Sequence, residues 1–305
     1  MAENLGVLVM AYGTPKSLGD IEAYYTDIRH GRPPTPEQLE DLTARYQAIG
    51  GRSPLLEITE AQVRGIEERL SGVQAFLGQK HAAPFIPDAV HAMAREGIER
   101  AVGLVLAPHY SPMSIGNYAS RAQRAADEHG WTGKLEMIDS WHLEPGYITF
   151  LSDVVRRAQA SLSADVRDDA VVVFTAHSLP ERTLQKGDPY PMQLHETAET
   201  VAAGLGLKDW RTGWQSAGAT SDPWLGPDIL DVIEDLAHKG HRGVIVCPCG
   251  FVSDHLEVLY DLDIEAAEKA SALNIAFART DSPNDDPTFL DTLAALVTAK
   301  LSGSS

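Results

Sequence analysis

Short runs rich in Val, Ile and Leu recur along this chain, and stretches of helical periodicity fill most of the gaps between them. Strands are expected near Leu5–Met10, Val73–Leu77, Val102–Leu106 and Leu135–Asp139, then near Val171–Phe174, Arg211–Gln215, Val244–Cys247 and Asn274–Ala278. Helices are expected over Glu60–Leu70, Asp88–Arg95, Gly116–His129, Tyr147–Ser161, Gln193–Leu205 and Pro227–Lys239. Strands that alternate with helices fold as parallel sheets covered on both faces, because parallel neighbours need a long crossover.

The two halves share a spacing. Second, third and fourth strands begin at Val73 and Arg211, Val102 and Gly243, and Leu135 and Asn274, each pair about 140 residues apart. The first strands, at Leu5 and Val171, lie further apart by roughly 27 residues, which implies an insertion in the first half. The expected fold class is α/β: two similar domains, each a four-stranded parallel sheet flanked by helices, facing each other across a cleft. Residues 1–146 form the first domain, with an insertion at about 15–54 as a lip on the cleft. Residues 147–286 form the second, and the last helix, 287–305, is expected to pack back on the first.

Composition narrows the function. Among 305 residues, 43 are acidic and 25 basic, a net charge of -18, which argues against nucleic acid because its binding rests on phosphate neutralisation. No apolar run approaches the ~18–20 residues that span a bilayer. The opening Met-Ala-Glu-Asn-Leu-Gly has no basic segment leading into an apolar one, so a cytoplasmic protein is expected. The only cysteines, Cys247 and Cys249, are too few for a four-cysteine iron–sulfur cluster and read as core thiols beside a buried strand.

In open parallel sheets, ligands bind outside the carboxyl ends of the strands. Those ends here supply Tyr12, His109, His177 and, after the strand at Val244, Glu257. If Asp254 to Glu268 is helical, Glu257, Asp261 and Glu265 fall on one face at intervals of four. Stacked like charges have no folding rationale, so the row reads either as a solvated face or as a path for cations and protons. A dinucleotide fold is excluded, because strand one is followed by Gly13 with no G-x-G-x-x-G. Within the insertion, Arg29, Arg32, Arg45, Tyr46 and Ser53 collect guanidinium, phenol and hydroxyl groups suited to a carboxylate-bearing substrate, or to pairing with Asp27, Glu37 and Asp41.

Val9-Met-Ala-Tyr-Gly-Thr-Pro15, Arg45-Tyr-Gln-Ala-Ile-Gly-Gly-Arg-Ser-Pro54, Ala176-His-Ser-Leu-Pro-Glu181, Gly187-Asp-Pro-Tyr-Pro191, Trp214-Gln-Ser, Asp222-Pro-Trp-Leu-Gly-Pro227 and Gly250-Phe-Val-Ser-Asp-His-Leu-Glu-Val-Leu-Tyr-Asp261 occur in this order. Together they resemble ferrochelatase, most closely the Gram-positive type that inserts iron into coproporphyrin III. The resemblance implies two Rossmann-like domains with a porphyrin cleft between them, with His177 and Glu257 as the catalytic pair and Tyr12 near the metal on the opposite face of the macrocycle. It implies metal contacts at His177, Glu257, Tyr12, Asp261 and Glu265, with a second divalent cation such as Mg2+ at the outer acids, helped by Arg45. Arg29, Arg45, Tyr46, Ser53 and Tyr118 match positions that hold the propionates.

The resemblance further implies Fe2+ as substrate, no iron–sulfur cluster, a monomer, and transient handover of product to a haem-pathway enzyme. A neutral His177 and a Glu257 with raised pKa are expected for proton transfer. Two other readings share the architecture or the ligands: a cobalt chelatase of a reduced tetrapyrrole, and a non-enzymatic haem or tetrapyrrole carrier.

Overall fold

A computed structural model describes residues 3–218, 220 and 222–303. In chain order it runs β1 (Leu5–Ala11), α1 (Ile21–Ile28), α2 (Pro36–Ala48), α3 (Leu55–Arg69), β2 (Val73–Gln79), α4 (Ile86–Arg95), β3 (Arg100–Val105), α5 (Ile115–His129) and β4 (Lys134–Met137). It continues through α6 (Pro145–Ser161), α7 (Ala164–Arg167), β5 (Ala170–His177), α8 (Tyr190–Leu205), β6 (Trp210–Gln215), α9 (Ile229–His238) and β7 (Gly243–Cys247). A short α10 (Leu256–Leu259), a wide π-type turn (Asp261–Ala266), α11 (Ala267–Ala272), β8 (Ala276–Arg279) and α12 (Pro287–Leu301) complete it. Ser304 and Ser305, at the end of the expected last helix, lie outside the described residues.

The described strands form two four-stranded parallel sheets of the same order, β2-β1-β3-β4 and β6-β5-β7-β8. This is the α/β architecture that the strand–helix alternation predicts. Central strands carry continuous apolar runs because both faces are covered: β5 reads Ala-Val-Val-Val-Phe-Thr-Ala-His and is buried throughout its interior. In each sheet the chain leaves the first strand toward one edge and returns on its other side. The strand order therefore reverses between β1 and β3, and between β5 and β7. At such a switch point, crossover helices on opposite faces leave a crevice at the strands' carboxyl ends.

The chain divides into two compact units, Met1–Ser140 with Asn284–Ser305, and Trp141–Pro283. The first is discontinuous because α12 packs on α3. Gly65 makes that approach possible, since a Cβ there would lie 2.4 Å from Leu290 Cδ1. Arg69 Nε donates to Asp291 Oδ1 at 2.5 Å, and Gln62 Nε2 donates to the Asn284 carbonyl at 2.8 Å. Helix α2 opens with a capping box, the Thr35 hydroxyl accepting from the Gln38 amide while the Gln38 side chain accepts from the Thr35 amide. Among the described residues no helix is long and apolar enough to cross a membrane.

In the second unit the loop after β7 lies against β5. The Gly250 amide donates to the Thr175 carbonyl at 2.9 Å, and a Cβ at Gly250 would come within 2.7 Å of Ala176 Cα. Backbone cannot yield there as a flexible side chain would. Gly250→Ala should therefore destabilise the protein by about 1–3 kcal/mol, read as a lower urea midpoint at unchanged m-value.

Candidate active site

Three strand ends of the second unit converge on Glu257. Strand β5 ends at His177, whose Nδ1 donates to the Ser178 carbonyl at 2.5 Å. Strand β6 ends at Gln215, whose amide oxygen accepts from the Thr175 hydroxyl at 2.9 Å and whose Nε2 donates to the Glu257 carbonyl at 2.8 Å. The loop after β7 leads into α10, with Glu257 in its first turn. This arrangement sets Glu257 Oε1 3.5 Å from His177 Nε2, at the switch point of the sheet.

The helix expected from Asp254 instead begins at Leu256, because His255 is fully extended (φ -158°, ψ -176°). In a helix, side chains two residues apart point to nearly opposite sides; in extended chain they share a side. The extended residue lets His255 turn back, its Nε2 3.6 Å from Glu257 Oε2 and its Nδ1 2.9 Å from the Ser253 carbonyl. One carboxylate thus stands between two imidazoles. Reading the segment as one helix hid His255, although it lies inside the quoted motif.

The acidic row also departs from a simple helix. The Glu265 amide donates to the Tyr260 carbonyl five residues back, at 3.0 Å. Four residues of α-helix overshoot one turn by about 40°, whereas the wider turn, with roughly 4.4 residues per turn, falls short by a similar angle. Glu265 is thereby brought back toward the side of Glu257. Asp261, between them, is buried and accepts from the Ser216 hydroxyl at 2.5 Å. Among the described residues no three His, Cys, Asp or Glu side chains close into a metal-binding group.

Electrostatics reverse the expected protonation of the central pair. Burial alone would lower the His177 imidazole, but the Glu257 carboxylate and, behind it, Asp261 raise it to about 9. Burial alone would raise Glu257, but His177 and His255 hold it well below the usual carboxylate range. The resting pair is an imidazolium and a carboxylate, where a neutral imidazole and a raised carboxyl were expected. Proximity to opposite charge outweighs desolvation here, because the pair is only partly shielded from water.

The first unit places Tyr12 just past β1, 42% exposed. Lys80 Nζ lies 5.7 Å from the Tyr12 ring centroid and 5.3 Å from that of Tyr118. The His81 ring lies 4.6 Å from that of Tyr12, and its Nδ1 is 2.6 Å from Asp27 Oδ2. Burial, with help from Arg121, lowers Lys80 to about 8. Burial also lowers His81 to about 4, outweighing the Asp27 contact. Neither Lys80 nor His81 was singled out in the sequence; their position just past β2 was the available signal.

Of the remaining sequence candidates, His109 is buried just beyond β3. Tyr46 and Tyr118 are also interior, with the Tyr46 hydroxyl 3.2 Å from that of Thr14. Ser53 is buried, its hydroxyl accepting from the Leu55 amide. Arg45 pairs with Asp41 at 3.2 Å, and Arg29 lies over the Tyr25 ring. Tyr12 and these residues belong to the first unit, whereas His177, Glu257, Asp261 and Glu265 belong to the second.

Two such four-stranded parallel sheets, flanked by helices, make up the chelatase fold. The chain is similar to the sirohydrochlorin chelatase SirB of Bacillus subtilis subspecies spizizenii, solved with cobalt, at a TM-score of 0.62 and 9% identity over 98% of this chain and 96% of that one. It is similar to CbiX, described as the terminal enzyme of sirohaem biosynthesis in denitrifying bacteria, at a TM-score of 0.56 and 15% identity over 96% and 98% of the two chains. At these identities the likeness speaks for the fold. Sequence goes further: the ferrochelatase family model matches residues 4–301. The coproporphyrin III ferrochelatase of Bacillus subtilis (strain 168) is 46% identical over 98% of both chains. That of Geobacillus kaustophilus is 49% identical over 96% of this chain and 94% of its own. The chain belongs to the ferrochelatase family.

The charge pair has a pH signature. A raised His177 pKa contributes stability that is complete below 6.5 and lost as pH rises through about 9. A depressed Glu257 pKa contributes stability that is complete above 4.5 and lost as pH falls. Both contributions are therefore intact only between those limits. Glu257→Gln should bring the His177 titration down from about 9 to 6.5 or below, measured by NMR of the imidazole protons; an unmoved titration would mean that the carboxylate is not its partner.

Proposed function

We propose that this protein inserts Fe2+ into coproporphyrin III, yielding coprohaem for haem synthesis. The observation that carries the reading is the His177–Glu257 pair at the switch point, with Asp261 and Glu265 on the turn that follows α10. Membership of the ferrochelatase family and the names of the relatives support it.

Insertion exchanges two pyrrole protons for a ferrous ion. The porphyrin must deform so that its nitrogen lone pairs point at the metal, and a cleft complementary to the bent ring favours that geometry. His177 serves as ligand or base once its resting proton has passed to solvent, with Glu257, Asp261 and Glu265 as the assigned route for protons leaving the site. His255 Nε2 stands 3.6 Å from the second oxygen of Glu257, so both oxygens of the carboxylate face an imidazole. Tyr12 supplies a phenol ligand, and Arg29, Arg45, Tyr46, Ser53 and Tyr118 are assigned to the propionates. Asp261 and Glu265, helped by Arg45, are assigned to a second divalent cation such as Mg2+. The same reading makes the protein a cytoplasmic monomer that hands product to the next haem-pathway enzyme.

Multiple-turnover metalation under anaerobic conditions tests this, with coproporphyrin III compared against protoporphyrin IX. Product should exceed one equivalent of enzyme, with coproporphyrin III preferred; product stopping at one equivalent would favour a carrier. His177→Ala should abolish insertion while porphyrin binding persists, and Glu257→Gln should lower kcat by about 10²-fold or more. Replacing Arg29 and Arg45 should raise KM for the four-carboxylate porphyrin, and an unchanged KM would move the propionate site elsewhere.

A further inference from the structure

The acidic segment after β7 is built against its own preferences. From Gly250 to Glu268 the chain carries Asp254, Glu257, Asp261, Asp263, Glu265 and Glu268, and neither Lys nor Arg. Helix α10 is a single turn of four residues, too short to sustain itself, and its one acid, Glu257, has Asp261 four residues on as a like-charged neighbour. It runs into the wide turn Asp261–Ala266, a geometry far rarer than the α-helix. Relaxing that turn to ordinary helix would remove its extra residue and rotate everything before it by about 100° about the axis. Glu257 would then swing away from both His177 and Gln215.

Arg279, at the end of β8, meets this segment on either side of α10. Its Nε and Nη2 donate to the two oxygens of Asp263 at 2.6 and 3.0 Å, a two-pronged contact. Its Nη1 donates to Asp254 Oδ1 at 3.3 Å and to the Thr280 carbonyl at 2.9 Å. The Ser282 hydroxyl donates to the same Asp254 oxygen at 2.8 Å. The Arg279 side chain is 15% exposed, while Asp263, its two-pronged partner, stands at the surface. Burial disfavours the guanidinium charge, but Asp263, Asp254 and Asp281 outweigh that and keep it protonated.

We infer that Arg279 is a positioning residue for metal insertion: its fork grips Asp254 before α10 and Asp263 after it, sets the register of the wide turn, and so fixes where Glu257 and Asp261 stand relative to His177. The inference rests on the roles proposed above for Glu257 and Asp261. Arg279 need touch neither porphyrin nor metal. A lysine could reach one of the two carboxylates but could not span both with a planar fork.

Full-length Arg279→Met, Arg279→Lys and Asp263→Asn are compared with the unaltered protein, using coproporphyrin III and Fe2+. Small misplacements of a reacting group cost up to about 10²-fold, so Arg279→Met should lose about 10- to 100-fold in kcat while the porphyrin KM stays within about twofold. Arg279→Lys should recover part of that loss, and Asp263→Asn, which keeps Arg279 on Asp254, should fall in between. Hydrogen exchange should speed up over residues 256–266 in Arg279→Met, while amides of β5 and β7 remain protected. An unchanged kcat in Asp263→Asn overturns the inference even if Arg279→Met does not fold. So does a kcat loss that comes with exchange through β5 and β7, since Arg279 would then be holding the sheet together generally. If the unaltered protein metalates no porphyrin, the proposed function fails, while exchange over residues 256–266 still decides whether the clasp holds that segment.

Discussion

An imidazolium and a carboxylate meet where the second sheet reverses its strand order, and the surrounding elements are arranged to keep them there. Strand β5 supplies His177 and orients it through the neighbouring Ser178 carbonyl. Strand β6 sends Gln215 to the Glu257 backbone, and β7 leads through Gly250, whose lack of a Cβ lets the loop lie on β5. Strand β8 contributes Arg279 on the far side of the acidic segment. Every strand of the sheet therefore has a hand in one contact between side chains. The arrangement follows from topology, because only at a switch point do loops from adjacent strands diverge enough to leave room for a ligand.

The same sheet order occurs twice, yet the two units handle charge in opposite ways. In the first, His81 is nearly fully buried and has Lys80 and Arg121 beside it, so desolvation prevails even with Asp27 at hydrogen-bond distance. In the second, His177 keeps about a third of its side-chain surface exposed and faces Glu257 and Asp261, so the partner charge prevails. One unit drives its histidine and lysine toward neutrality and the other holds its pair ionised. Both outcomes come from the same competition between burial and neighbouring charge.

Much of this was legible in the residues. The repeat of strand spacings announced two like sheets, since buried parallel strands must be continuous apolar runs and their crossovers set the intervals. Carboxyl-end placement singled out Tyr12, His109, His177 and Glu257 for the same reason. What escaped was conformation at individual residues. Nothing in the identity of His255 declares it extended, so its alliance with Glu257 was invisible to helical periodicity. The wide turn escaped too, because side-chain spacing of four suits an α-helix and a π-turn alike. Protonation was misjudged because the sequence pairs His177 with Glu257 but gives no distance between them and does not show His255 at the other carboxylate oxygen, and the sign of the shift depends on those distances.

The packing of α12 on α3 through Gly65 bears on how the chain is made. The second unit, Trp141–Pro283, is contiguous and has its whole sequence by the time residue 283 leaves the ribosome. The first unit begins earlier but lacks the helix that covers α3 until the segment after Pro283 is synthesised. Domains generally mature in order from the amino end. Here the order of completion is inverted: the half that is translated first waits, with one face uncovered, for a helix that is made after the second unit.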